Sequence, residues 1–140
     1  MDGKKRELRG SPNRDAFKQW HKTLSNKFYA SDLDFVLVEK YPPGIVAVFD
    51  YKLSGSLDSV SFAEVIAYNA FLDWGVPVYI VWSQEPFDRF TIQKFKSGDW
   101  KPDPPIVDLD TLLLDVPAET FEEWEANLRR VYRKGIKLVA

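Results

Sequence analysis

Apolar residues recur along this chain in two rhythms, one helical and one alternating. Phe17, Trp20, Leu24 and Phe28 fall at helical spacing. They predict a first helix with one buried face, starting near Ser11-Pro12 with the serine as cap and the proline in the first turn. Residues 33–39 and 45–52 are rich in Val, Ile, Leu and Phe and read as strands. The turn signal Lys40-Tyr-Pro-Pro-Gly44 lies between them, so the two strands form a hairpin. Both faces of the hairpin are apolar, with Phe35 and Leu37 pointing one way and Val36 and Val38 the other; such a sheet needs helices on both sides. A second helix is expected from about Ser61 to Trp74, stopping at Gly75. Strands follow at Val76–Ser83 and Phe87–Phe95. Residues 97–105, with three prolines and a glycine, read as loop, and Ile106–Leu109 as a short edge strand. A last helix is expected over 118–134, beginning near Pro117 and ending at Gly135.

The expected fold is α/β, a central mixed sheet of four to five strands flanked by helices on both faces. The second and third strands are joined through a helix, which suits parallel neighbours. The polar, basic residues 1–10 read as a mobile tail, and 11–140 as one domain.

Composition narrows the chemistry. The 140 residues contain no cysteine and one histidine, His21, so disulfides, thiolate catalysis and multi-histidine metal sites are excluded. His21 has no partner histidine and reads as a packing or surface residue. Any metal must be held by carboxylates and carbonyls, which favours hard divalent ions. No apolar run is long enough to span a membrane, and the first residues are charged, so the expectation is a cytoplasmic, intracellular protein without a membrane partner. The net charge of −2 hides a division: residues 1–27 carry eight Lys/Arg against three acids, residues 28–128 six against eighteen, and residues 129–140 five against none. Basic ends around an acidic middle suit a polyanion-binding rim around a carboxylate site, or two plainly solvated helix surfaces.

The hairpin carries the informative residues. Asp50 and Lys52 share a strand face, ~7 Å apart. Centring the hairpin on Pro42 makes paired residue numbers sum to 84, which sets Asp34 opposite Asp50 with Cβ atoms ~4.5–5.5 Å apart, where like charges repel. Asp32 lies on the same face and is an alternative ligand. The neighbours on that face, Val36, Val38, Val46 and Val48, read as core. Carboxylates beside them need compensation, and a cation supplies it. Asp34 and Asp50 can hold one or two ions, the Tyr51 backbone carbonyl can add an oxygen, and Lys52 can position or help deprotonate an attacking water.

In these residues the chain resembles the PD-(D/E)xK, or restriction-endonuclease-like, superfamily. The motif stands as Leu33-Asp34-Phe35-Val36, a hairpin, then Val48-Phe49-Asp50-Tyr51-Lys52. The family core is a helix, three strands, a helix and a further strand, and residues 11–83 look like that core. The resemblance implies metal binding by Asp34 and Asp50, catalytic assistance by Lys52, and Mg²⁺ or Mn²⁺ as cofactor. Many members carry a Gln-x-x-x-Tyr pattern on the following helix; Glu64-Val-Ile-Ala-Tyr68 has that spacing with Glu in place of Gln. Leu33 stands where the family has proline, and Asp50 is the less common acid at its position. Glu64 also completes a capping box with Ser61, and Tyr68 also suits packing.

The implied function is a metal-dependent nuclease hydrolysing DNA, with RNA left open. The alternative is an inactive nuclease-like module that binds nucleic acid or protein. The small size favours structure-directed cutting, a homodimer, or work within a complex. Trp74 and Trp82 read as core or boundary packing, Trp100 as the better candidate for stacking on a base. Asp108, Asp110 and Asp115 read as a solvated strand end and a cap. Arg129, Arg130, Arg133 and Lys134 suit a helix C-terminus. There is no phosphate-cradling glycine loop and no G-x-S-x-G motif.

Overall fold

The structure, a computed structural model, describes residues 12–21, 34–54 and 59–139. The tail 1–10, the Ser11 cap, Leu24, Phe28, Asp32 and Leu33 lie outside the described residues. The chain divides into two compact units, Met1–Ala30 and Ser31–Ala140. In the first, helix α1 (Pro12–His21) carries Phe17, Trp20 and His21, with the Phe17 ring centroid 5.8 Å from that of Trp20 and 5.9 Å from that of His21.

The second unit contains β1 (Phe35–Lys40), β2 (Pro43–Leu53), α2 (Phe62–Asp73), β3 (Val78–Ser83), β4 (Arg89–Asp99), β5 (Ile106–Pro117) and α3 (Ala118–Val139). The strands form one mixed sheet in the order β1-β2-β3-β4-β5; β2 and β3 are parallel and every other pair is antiparallel. The parallel pair is the one linked through α2, as a helical crossover requires. Two described strands precede α2, one fewer than in the family core named above.

Alternation along the strands builds two cores. Val48, Val78, Ile80 and Phe95 face α2 and enclose its Val65 and Tyr68. Ala47, Phe49, Tyr79, Val81 and Ile92 face α3, which supplies Phe121, Trp124, Leu128 and Tyr132. Helix α2 begins at Ser61, whose hydroxyl accepts from the Glu64 amide while the Glu64 carboxylate accepts from the Ser61 amide, a complete capping box. After α2 the chain turns at Gly75, whose φ of +81° suits a residue without Cβ.

Several boundaries differ from expectation. Strand β4 runs to Asp99, so 97–99 are strand rather than loop, and β5 spans twelve residues rather than four. Its pairing with β4 carries three register shifts, which blur the alternation that marks a strand in sequence. Helix α3 continues through Gly135 to Val139, because a lone glycine only weakens a helix. Val36 and Val38 are exposed rather than core, Val38 at 71%, because β1 is an edge strand beyond the cover of α2. Val46 is buried among the residues facing α3. The hairpin pairs Phe35 with Phe49, Val36 with Val48 and Leu37 with Ala47, then shifts so that Val38 meets Ile45; Val46 is the extra residue of the bulge. Trp74 is 72% exposed rather than packed, whereas Trp82 packs on the core and donates its indole N–H to Gln93.

Candidate metal and catalytic site

The sum of 84 holds at the open end of the hairpin, where it matters. Continuing from the Phe35–Phe49 pair, it sets Asp34 against Asp50. Asp34 immediately precedes β1, is exposed, and its Oδ2 accepts the Tyr51 backbone N–H at 2.7 Å. Asp50 lies within β2, only 3% exposed, on the face covered by α2. The Asp34 carboxyl is near enough to raise the pKa of Asp50.

Lys52, two residues on, points the same way and is 8% exposed. Its Nζ donates to both Glu64 carboxylate oxygens, at 3.0 and 2.9 Å, and lies 3.9 Å from Asp50 Oδ2. Tyr68, one helical turn after Glu64 and fully buried, packs its ring edge-on to Phe95 at 5.2 Å and donates its hydroxyl to Asp50 Oδ2. Glu64 therefore both caps α2 and joins the cluster around Lys52, and Tyr68 both packs in the core and joins it through Asp50. A carboxylate at the third helical position reaches backwards to the cap amide, and here that places it over Lys52.

All five catalytic candidates from the sequence, Asp34, Asp50, Lys52, Glu64 and Tyr68, converge. Tyr51 contributes backbone only, since its side chain points to the opposite face and donates its hydroxyl to the Ser83 carbonyl at 2.8 Å. Asp32 lies outside the described residues. His21 belongs to the other unit. Asp108 and Asp110 are exposed along β5; Asp115 takes Arg89 at 3.2 Å rather than capping α3.

The electrostatics follow from the crowding. Burial, and then the nearby Asp34 and Glu64 carboxyls, push the Asp50 carboxyl up to about 9, with Lys52 only partly opposing them. Glu64 is drawn below its ordinary value, against its own burial, by the Ser61 amide, Lys52 and Asp50. Among the described residues, Lys52 faces the three acids Asp34, Asp50 and Glu64, so at neutral pH Asp50 holds a proton. Among the described residues no group of three or more acidic or histidine side chains is disposed around a common metal position. Among the described residues the donors available are Asp34 and Asp50, since Glu64 is committed to Lys52 and the cap. Two carboxylates suffice for Mg²⁺, which keeps several waters and is commonly held by one or two carboxylates together with substrate phosphate.

Sequence reading missed Glu39. Its side chain is buried against α3, taking the Arg129 guanidinium at 2.5 Å and that of Arg133 at 3.6 Å. Its signal was a lone acid in an apolar strand with unpaired arginines far along the chain. Also missed was an aromatic cavity behind the hairpin, whose residues look like ordinary inward positions of a strand. Among the described residues no helix is long and apolar enough to cross a membrane. Comparison with protein-family models, curated proteins and solved structures finds no match to this chain.

Proposed function

We propose that the chain is a divalent-metal-dependent nuclease of the PD-(D/E)xK type, hydrolysing phosphodiester bonds in DNA, with a restriction-endonuclease-like core reduced by one strand among the described residues. The observation that carries the reading is Asp50, a buried carboxyl crowded by the Asp34 and Glu64 carboxyls, with Lys52 as the one cation beside it among the described residues. Asp34 and Asp50 would hold Mg²⁺ or Mn²⁺, with the Tyr51 carbonyl as a further oxygen. Such an ion would supply charge neutralisation at a phosphate oxygen and would make hydroxide available near neutral pH. Lys52 orients the attacking water and offsets charge building on the phosphate. Glu64 fixes the ammonium of Lys52, and Tyr68 fixes the carboxyl of Asp50; both are positioning residues.

One observation favours a second reading, a nucleic-acid-binding module that does not cut: both Glu64 oxygens already occupy the Lys52 ammonium. Incubating the protein with single-stranded, duplex and branched DNA in Mg²⁺ or Mn²⁺, beside Asp50→Ala and Lys52→Ala, separates the two. The nuclease reading expects cutting by the wild type that both substitutions abolish. Cutting by neither wild type nor variants, or by all three alike, rejects it.

A further inference from the structure

Behind the carboxylate cluster, on the sheet face turned to α3, lies a cavity of about 310 Å³. Its walls are largely rings: Phe35, Phe49 and Tyr51 from the hairpin, Phe87 from the turn before β4, Phe90 from β4 and Phe121 from α3. The hairpin rings alternate with Asp34, Asp50 and Lys52 along the same strand ends. The cavity and the carboxylates therefore lie back to back across one strand at the same end of the sheet. Phe90 and Phe121 stack with centroids 4.6 Å apart and planes 15° from parallel. Phe35 and Phe87 stay exposed at the rim. Phe87 holds a φ of +62°, an unfavourable backbone for a bulky side chain. Glu125 is the one charged residue of the lining, and burial followed by repulsion from Glu122 pushes its carboxyl up.

A second recess of about 470 Å³ shares Leu37 and Glu125 with the first and runs on along α3 past Arg129, Arg130 and Arg133. Arg129 and Arg133 hold Glu39, and Arg130 bonds Asn127. A guanidinium has five N–H donors, so these contacts leave donors for an anion. Glu122 also lines this recess, which keeps it from being strongly basic.

We propose that this groove binds single-stranded nucleic acid, with one unstacked base in the aromatic cavity and flanking phosphates on Arg130 and Arg133. The inference rests on the phosphodiester reading of the site across the strand, and deepens it by assigning a substrate form. Rings next to cationic side chains are the two components of single-strand binding, and ring stacking tolerates every base. The Glu125 carboxyl favours bases with an exocyclic amino group. An aromatic side chain of a partner protein is the rival occupant; it would make no use of the donors that Glu39 and Asn127 leave on the neighbouring arginines.

The test is fluorescence anisotropy of a short labelled single-stranded oligodeoxynucleotide with the full chain in EDTA, where metal-dependent cutting is silent. Phe35→Ala and Phe87→Ala alter exposed rim rings and should each weaken binding about 5- to 150-fold, as loss of a base-stacking ring does. Phe35→Tyr keeps the ring and should bind as the wild type does. Arg130→Ala should lower the slope of log affinity against log salt by about 0.7, the value for one phosphate on a single strand. An abasic strand of equal length should bind as weakly as the rim variants. The proposal is overturned if the wild type does not bind, if the rim variants bind as tightly as it does, or if the abasic strand binds equally well. Binding with these losses but no cutting in Mg²⁺ would keep the groove and reject the nuclease. Cutting with normal binding by the rim variants would do the reverse.

Discussion

Asp50→Asn keeps an acceptor for the Tyr68 hydroxyl but removes a carboxyl that the fold pushes up to about 9 from an ordinary 3.8. Between those values the unfolded chain has lost this proton and the folded chain keeps it. Stability must then fall as pH rises, by about 1.4 kcal/mol per pH unit from this one group. Across pH 5 to 8 that is about 4 kcal/mol, a large share of the 5–15 kcal/mol typical of a whole domain. Glu64 shifts downward, so the stability it adds is lost only in acid below that window. Glu125 is shifted upward but is common to both proteins, so it cancels in the difference. Urea unfolding in EDTA at pH 5, 6.5 and 8 should show the wild type losing stability steeply and Asp50→Asn much less. The two curves should diverge by several kcal/mol at pH 8. Parallel curves would refute the account of a crowded, proton-holding Asp50.

Other substitutions test the supports. Tyr68→Phe leaves Asp50 without its hydroxyl donor and should lower stability by about 1–3 kcal/mol in urea unfolding; under the proposed function it also slows cutting. Ser61→Ala removes the hydroxyl that accepts the Glu64 amide and should lower the melting stability by about 1 kcal/mol. Gly98→Ala drives a methyl to 2.8 Å from Val65 and 3.1 Å from Phe95, so it should destabilise by about 1–3 kcal/mol. Unchanged thermal denaturation would count against the packing described there.

The placing of the candidate site residues was legible because hairpin arithmetic is local. Counting outward from Pro42 sets Asp34 against Asp50, and the bulge at Val46 disturbs only the pairs near the turn. The pairing of cap and site in Glu64 was half legible: the capping box was written in Ser61-Phe-Ala-Glu64, but only the crossover places that helix start over Lys52. What was hidden depends on neighbours. Val36 and Val38 look like core because their types are apolar, yet nothing in an edge strand's own sequence says that the covering helix stops short of it. Strand β5 was cut short because its exposed Leu112 and Leu114 break the expected alternation, and register shifts against β4 are a property of the pair. Glu39 met Arg129 across 90 residues of chain, beyond the reach of any local pattern.

The account turns on whether Asp34 and Asp50 share a cation, and Mn²⁺ binding followed by electron paramagnetic resonance reads this without a substrate. The wild type should take up one Mn²⁺ that Asp34→Asn and Asp50→Asn each release into solution at the same total metal. Equal uptake by all three proteins, or none by the wild type, would contradict it.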